Sequence, residues 1–137
     1  MKACFGVVKY RLGSKPKLGT MPGVYFKTSD CSGFVGWLLY GASHGKVTLR
    51  TGSWYQRKWC DDEGFKKVKY SEVAKLKDSR LRIAFIRPES GKIGHVWLVI
   101  NGQTIECYGG HGVGRRPWDT KVLMDNVSDC YVLTDKI

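Results

Sequence analysis

The stretch HVWLVINGQTIECY, residues 95–108, constrains the fold more than any other part of the chain. Asn101-Gly102 stands between two runs rich in β-branched and aromatic residues. Asn-Gly is the leading signal for a two-residue type I′ hairpin, because both central positions must take a positive φ. Such a hairpin fixes its own register. With Ile100 opposite Gln103, Trp97 falls opposite Glu106 and His95 opposite Tyr108. Side chains alternate along a strand, so His95, Trp97, Glu106 and Tyr108 share one face while Cys107 points to the other. Glu106 then lies diagonally beside His95, within reach of a long side chain.

Other segments show two different periods. Cys31, Phe34, Val35, Leu38 and Leu39 recur at helical spacing over residues 31–41, with Ser29 or Asp30 as N-cap and Gly41 near the end. Residues 2–11 place Cys4, Val7 and Val8 on one helical face, and Gly13 is a natural stop. Residues 13–28, with glycines, prolines and lysines, read as a long loop. A short helix capped by Ser71 is expected over 71–77. Strand patterns dominate later, at 81–87, 95–100, 103–109 and 130–135. Helices first and strands later predict an α+β fold, with N-terminal helices packed on an antiparallel β-sheet. Neither repeat nor linker interrupts residues 1–137, so a single domain is expected. Residues 53–62, SWYQRKWCDD, suit a cleft wall or a surface loop equally well.

Composition narrows the partners. The chain has 137 residues, 42% of them apolar, and a formal net charge of +11. That apolar content supports a real core and argues against disorder. The positive charge favours an anionic partner, but no basic run interleaved with aromatics marks a nucleic-acid module, and none is expected. No apolar run is long enough to insert into a membrane. ACFGVV is stopped by Lys9 and Arg11, too soon for the apolar region of a signal peptide. The five cysteines, Cys4, Cys31, Cys60, Cys107 and Cys130, include no C-x-x-C pair, so no metal site and no cofactor are expected. Their pairing stays open.

Cys31 is the candidate nucleophile. It opens the expected helix, where unpaired N–H groups and the positive end of the dipole favour a thiolate. His95 can act as its base and later protonate a leaving amine. Glu106 is the preferred third member, holding the tautomer and supporting the imidazolium. His111, in the glycine-rich YGGHGVG, is its rival.

DCSGFVGWLL followed by GHVWLVINGQTIE resembles the NlpC/P60 cysteine peptidases, which cleave the peptide stems of bacterial cell walls. YRLG (10–13) is similar to the family's Tyr-x-x-Gly, and LRTGSWYQ (49–56) to its Arg-Thr segment with a following Gln. The resemblance covers most of the chain and implies a papain-like fold. It also implies Cys31 as nucleophile, His95 as base and a third polar residue after the hairpin, at Glu106. Many members carry histidine there; a carboxylate resembles the related CHAP amidases. Tyr10, Asp30 and Ser32 would match positions lining the substrate cleft, and Trp97 is a further substrate-contact candidate. The implied activity is a peptidoglycan hydrolase, monomeric and without cofactor. It would act on stem peptides at the cell wall, in the periplasm or outside the cell, carried there by a phage or a secretion machine. Anionic envelope polymers are candidate partners. Two other readings stay open: a papain-like lipid acyltransferase or thioesterase using the same Cys-His pair, and a non-catalytic basic binding protein.

Overall fold

In the computed structural model of the chain, the described residues are 4, 6–23, 26–73, 80–88 and 94–133. The elements in chain order are β1 (Lys9–Tyr10), β2 (Thr28–Ser29), α1 (Cys31–Ala42), α2 (Ser53–Asp62), α3 (Tyr70–Val73), β3 (Leu81–Ile86), β4 (His95–Ile100), β5 (Gln103–Tyr108), β6 (Gly112–Gly114), α4 (Lys121–Asn126) and β7 (Asp129–Leu133). Five of the strands form one antiparallel sheet in the order β6-β5-β4-β3-β7. The fold is therefore α+β, as the switch of period predicts.

The hairpin lies at the centre of that sheet. Asn101 and Gly102 take φ of 52° and 74°, the signature of the type I′ turn. Ile100 pairs with Gln103, Val99 with Thr104 and Leu98 with Ile105, the register that the turn dictates. Two cores follow from the alternation. On one side of the sheet Phe34, Val35 and Leu39 of α1 pack against Ile83, Phe85, Val96, Leu98, Ile105 and Cys107. On the other side Ala84, Trp97 and Val99 meet Tyr70, Leu123 and Cys130. Each such large side chain contributes about 1.5–3 kcal/mol when fully buried. Cys107 thus faces the helix side, as alternation requires, and its Sγ lies 3.4 Å from the Ser29 carbonyl oxygen.

The N-terminal segment departs from expectation. The described part of residues 2–11 is not a helix. Gly6 takes φ 72°, which breaks a right-handed run. Cys4 O accepts the Val7 and Val8 N–H groups at 3.2 and 3.0 Å in a single turn, and beyond it the backbone pairs elsewhere in the chain: Lys9 N–H donates to Lys27 O at 2.9 Å and Arg11 N–H to Ser29 O at 2.9 Å. The apolar residues are still used, since Cys4 and Val8 are buried while Val7 is exposed. Gly112, at φ 93°, lets β6 approach this segment; a Cβ there would stand 2.3 Å from Val8 O. Residues 53–62 form a helix rather than a loop, and α4 and β6 are elements that periodicity did not reveal. The expected helix over 71–77 begins earlier, as α3, and its part from 74 onward lies outside the described residues, as does the end of the last strand.

Candidate active site

Asp30 starts α1. Its Oδ1 accepts the Gly33 N–H at 2.8 Å, which satisfies one of the helix's orphan donors. Its Oδ2 accepts Gly13 N–H at 3.2 Å and also takes the Lys15 ammonium. Cys31 is therefore the first helical residue, held by a cap that is itself anchored to the loop before it. Ser32 faces inward. Its Oγ accepts from Gly52 N–H at 2.9 Å and from Lys15 Nζ at 3.1 Å, while Gln56 Nε2 donates to its carbonyl oxygen at 2.9 Å. These contacts clasp α2 to the first turn of α1. Asp30 and Ser32 are both buried. The cleft-lining role that the resemblance implies for their side chains is replaced by a fastening one, because all their polar atoms are turned into the protein.

His95 opens β4 at the end of the sheet, where it meets the start of α1. Its Nε2 lies 2.8 Å from Glu106 Oε1, which leaves Nδ1 for the Cys31 side chain. Burial opposes a charged imidazole, but the hydrogen bonds to Cys31 and Glu106 outweigh it and raise the His95 pKa above its ordinary value. Glu106 is fully buried, and burial alone would favour its neutral form. Its hydrogen bonds to His95, Arg116 and Thr104 reverse this and lower its pKa to about 2. The carboxylate is thus an anion wherever the imidazole titrates. The structure brings Cys31, His95 and Glu106 into one line of polar contacts.

Arg116 completes that line. Its Nε donates to Glu106 Oε2 at 2.7 Å and its Nη2 to Oε1 at 2.8 Å, a bidentate fork. The guanidinium lies over the Tyr108 ring, 4.1 Å from its centroid. Sequence reasoning did not find Arg116. The signal that finds it is the register of the third strand, since Glu106 faces Gly114 and Arg116 therefore sits diagonally across from Glu106.

The remaining candidates divide. His111 is exposed and stacks flat on Tyr108, with centroids 4.8 Å apart, so it does not reach His95's side of the carboxylate. Trp97 is fully buried rather than open to substrate. It lies under the His95 ring, with centroids 5.3 Å apart and planes 19° from parallel, and its indole N–H donates to Tyr70 Oη at 3.3 Å. It holds the imidazole plane. Tyr10 does line a cleft. A groove of about 310 Å³ opens beside His95, walled by Tyr10, Gly94, Tyr108, Arg116, Ile86 and Val122. Burial and then the charge of the Cys31 thiolate raise the Tyr10 pKa.

The other four cysteines are buried and unpaired. Burial raises their pKa values, to about 12 for Cys107 and Cys130, so none is a competing nucleophile. Another cavity, of about 300 Å³, lies between Tyr70 and Met124; its cysteine, Cys130, is one of these inert thiols.

The site thus joins a helix-borne cysteine packed on an antiparallel sheet, a histidine at a strand start and a carboxylate on the next strand. Comparison with solved structures bears on the fold. A Staphylococcus aureus protein described as similar to a lipoprotein of the NLP/P60 family matches with a TM-score of 0.58 at 15% identity, over 98% of this chain. The chain accordingly has an NlpC/P60-like fold. It spans 39% of the length of that neighbour. No protein-family description matches the sequence, and no curated protein does.

Proposed function

We propose that this protein is a cysteine amidase or endopeptidase that cleaves an amide bond in the peptide stems of bacterial cell walls. One observation carries the reading: the line from Cys31 through His95 to the buried carboxylate of Glu106, beside an open groove. The NlpC/P60-like fold supports the substrate class, and the lipoprotein described for the neighbour supports work at the cell envelope. Among the described residues no helix is long and apolar enough to cross a membrane.

The chemistry follows from the geometry. The Cys31 thiolate attacks the scissile carbonyl carbon, and the negative oxygen is met by N–H groups at the start of α1, that of Cys31 included. His95, as imidazolium, gives its proton to the departing amine as the C–N bond breaks. Water then attacks the acyl-enzyme while His95 takes a proton from it, which releases the acid and restores the thiol. Glu106 keeps Nε2 engaged, so that Nδ1 faces the sulfur throughout. The net charge of +11 would hold the enzyme near anionic wall polymers, an attraction that added salt weakens.

A second reading, acyl transfer to or from a lipid, is favoured by the apolar wall that Ile86, Val122 and Leu123 give the groove. Both are tested together. Purified peptidoglycan incubated with reduced protein should yield new stem-peptide ends by mass spectrometry, and Cys31→Ala should abolish them. Intact wall combined with Cys31-dependent cleavage of a medium-chain acyl thioester would transfer the assignment to the second reading.

A further inference from the structure

We infer that Arg116 is a positioning residue of the thiol site, acting through Glu106 to hold the His95 ring in its working orientation. The inference deepens the catalytic reading above and rests on it only for the identity of the nucleophile.

Three independent features set Arg116 apart from a surface arginine. The first is the fork itself, two charged hydrogen bonds of 2.7 and 2.8 Å onto a carboxylate that is fully buried. A single bond would let the carboxylate swivel about its own axis. A fork fixes its plane, and so fixes where Oε1 stands relative to His95 Nε2. The second feature is the way the arginine is held. Arg116 N–H donates to Thr104 Oγ1 at 3.0 Å, and Thr104 N–H donates to Arg116 O at 2.8 Å, so the residue extends the β5–β6 ladder. Tyr108 fixes the guanidinium from one face. The third feature is its register. Glu106 pairs with Gly114, so Arg116, two residues on, stands one diagonal step from the carboxylate. Two diagonal steps across the sheet then carry the contact from Arg116 on the β6 side, through Glu106 on β5, to His95 on β4.

The consequence is chemical. Glu106 has two charged neighbours: His95 on β4, which it must orient, and Arg116 on the β6 side. Thr104 on β5 donates to it, and Tyr70 from α3 and Cys107 from the opposite face lie near enough to feel its charge. Without Arg116 a fully buried carboxylate would draw the imidazolium's proton onto itself or turn away from it. With Arg116 in place the carboxylate stays ionised, and the proton that His95 takes from sulfur stays on His95, available to the leaving amine.

Alkylation of Cys31 by iodoacetamide, read by mass spectrometry on the peptide that carries it, tests this without any assumption about the natural substrate. Cys31 is buried but 8% exposed, whereas the other four cysteines are at most 1% exposed and burial raises their pKa values. Arg116→Gln should slow Cys31 alkylation at neutral pH by about 10- to 100-fold, the usual range for residues that orient a functional side chain. Arg116→Lys, which keeps the charge and loses the fork, should fall between the two. The decisive comparison is the double variant. Glu106→Gln with Arg116→Gln should react no more slowly than Glu106→Gln alone, because a residue acting through Glu106 has nothing left to act on. The double variant also removes the unpaired buried charge, so it tests the role even where Arg116→Gln folds poorly. Unchanged reactivity in folded Arg116→Gln, or single effects that multiply in the double variant, would overturn the inference. Because iodoacetamide needs no wall fragment, either result stands whether or not the protein digests peptidoglycan.

Discussion

Glu106 should make the stability of this protein steeply dependent on acid. In the folded state its pKa lies at about 2, against an ordinary value of 4.5. A group whose folded pKa is depressed stabilises the fold above the unfolded pKa and loses that contribution as pH falls through the folded one. At ~1.4 kcal/mol per pKa unit the contribution is about 3 kcal/mol, present above about pH 4.5 and gone near pH 2. Glu106→Gln removes the titration and leaves the Arg116 guanidinium without its anion, which costs about 3–5 kcal/mol near neutral pH. The gap in unfolding free energy between wild type and Glu106→Gln should therefore shrink by about 2.5 kcal/mol between about pH 5.5 and about pH 2.5. Asp129, whose carboxylate Arg87 and Lys67 hold well below its usual range, titrates alike in both proteins and cancels. His95 has a raised folded pKa, so its contribution is full below the unfolded value and is lost only as pH rises through the folded one; it stays constant across this window. Urea unfolding followed by tryptophan fluorescence reads the gap directly. If the gap is the same at both ends of the window, Glu106 is not the ionised, arginine-bound carboxylate described above.

Other perturbations separate fastening from chemistry. Asp30→Ala removes the cap of α1 together with the contacts to Gly13 and Lys15, and should lower the urea-unfolding free energy by about 2–3 kcal/mol. A loss below about 0.5 kcal/mol would mean that the cap is not what holds the first turn. His111→Ala removes an exposed ring that touches Tyr108 and not the triad, so Cys31 alkylation should stay within about twofold of wild type. A hundredfold loss would return the third position to His111.

The local sequence was enough to determine the hairpin, the helix that begins at Cys31 and the α+β class. Each is written in contacts a few residues apart: a turn dipeptide that needs positive φ, a cap three residues before the N–H it satisfies, and an apolar period. The hairpin register also placed Glu106 beside His95, because a two-residue turn leaves the strands one alignment. The same local reading failed in the described part of residues 2–11, where the period suggests a helix but hydrogen bonds from Lys9 and Arg11 to Lys27 and Ser29 draw that end into an extended edge. It left residues 53–62 open between a cleft wall and a surface loop, and the helix there is held by Gly52 and Gln56 gripping Ser32. Trp97, Asp30 and Ser32 are expected from the sequence as substrate contacts, whereas the packing buries all three. Arg116 was beyond local reading altogether. Its role depends on the register of a third strand and on the burial of a carboxylate that must then find a cation. Pairings between adjacent strands of a tight hairpin are fixed by the chain itself, whereas the partner of a buried charge is fixed by whatever the folded sheet brings alongside it.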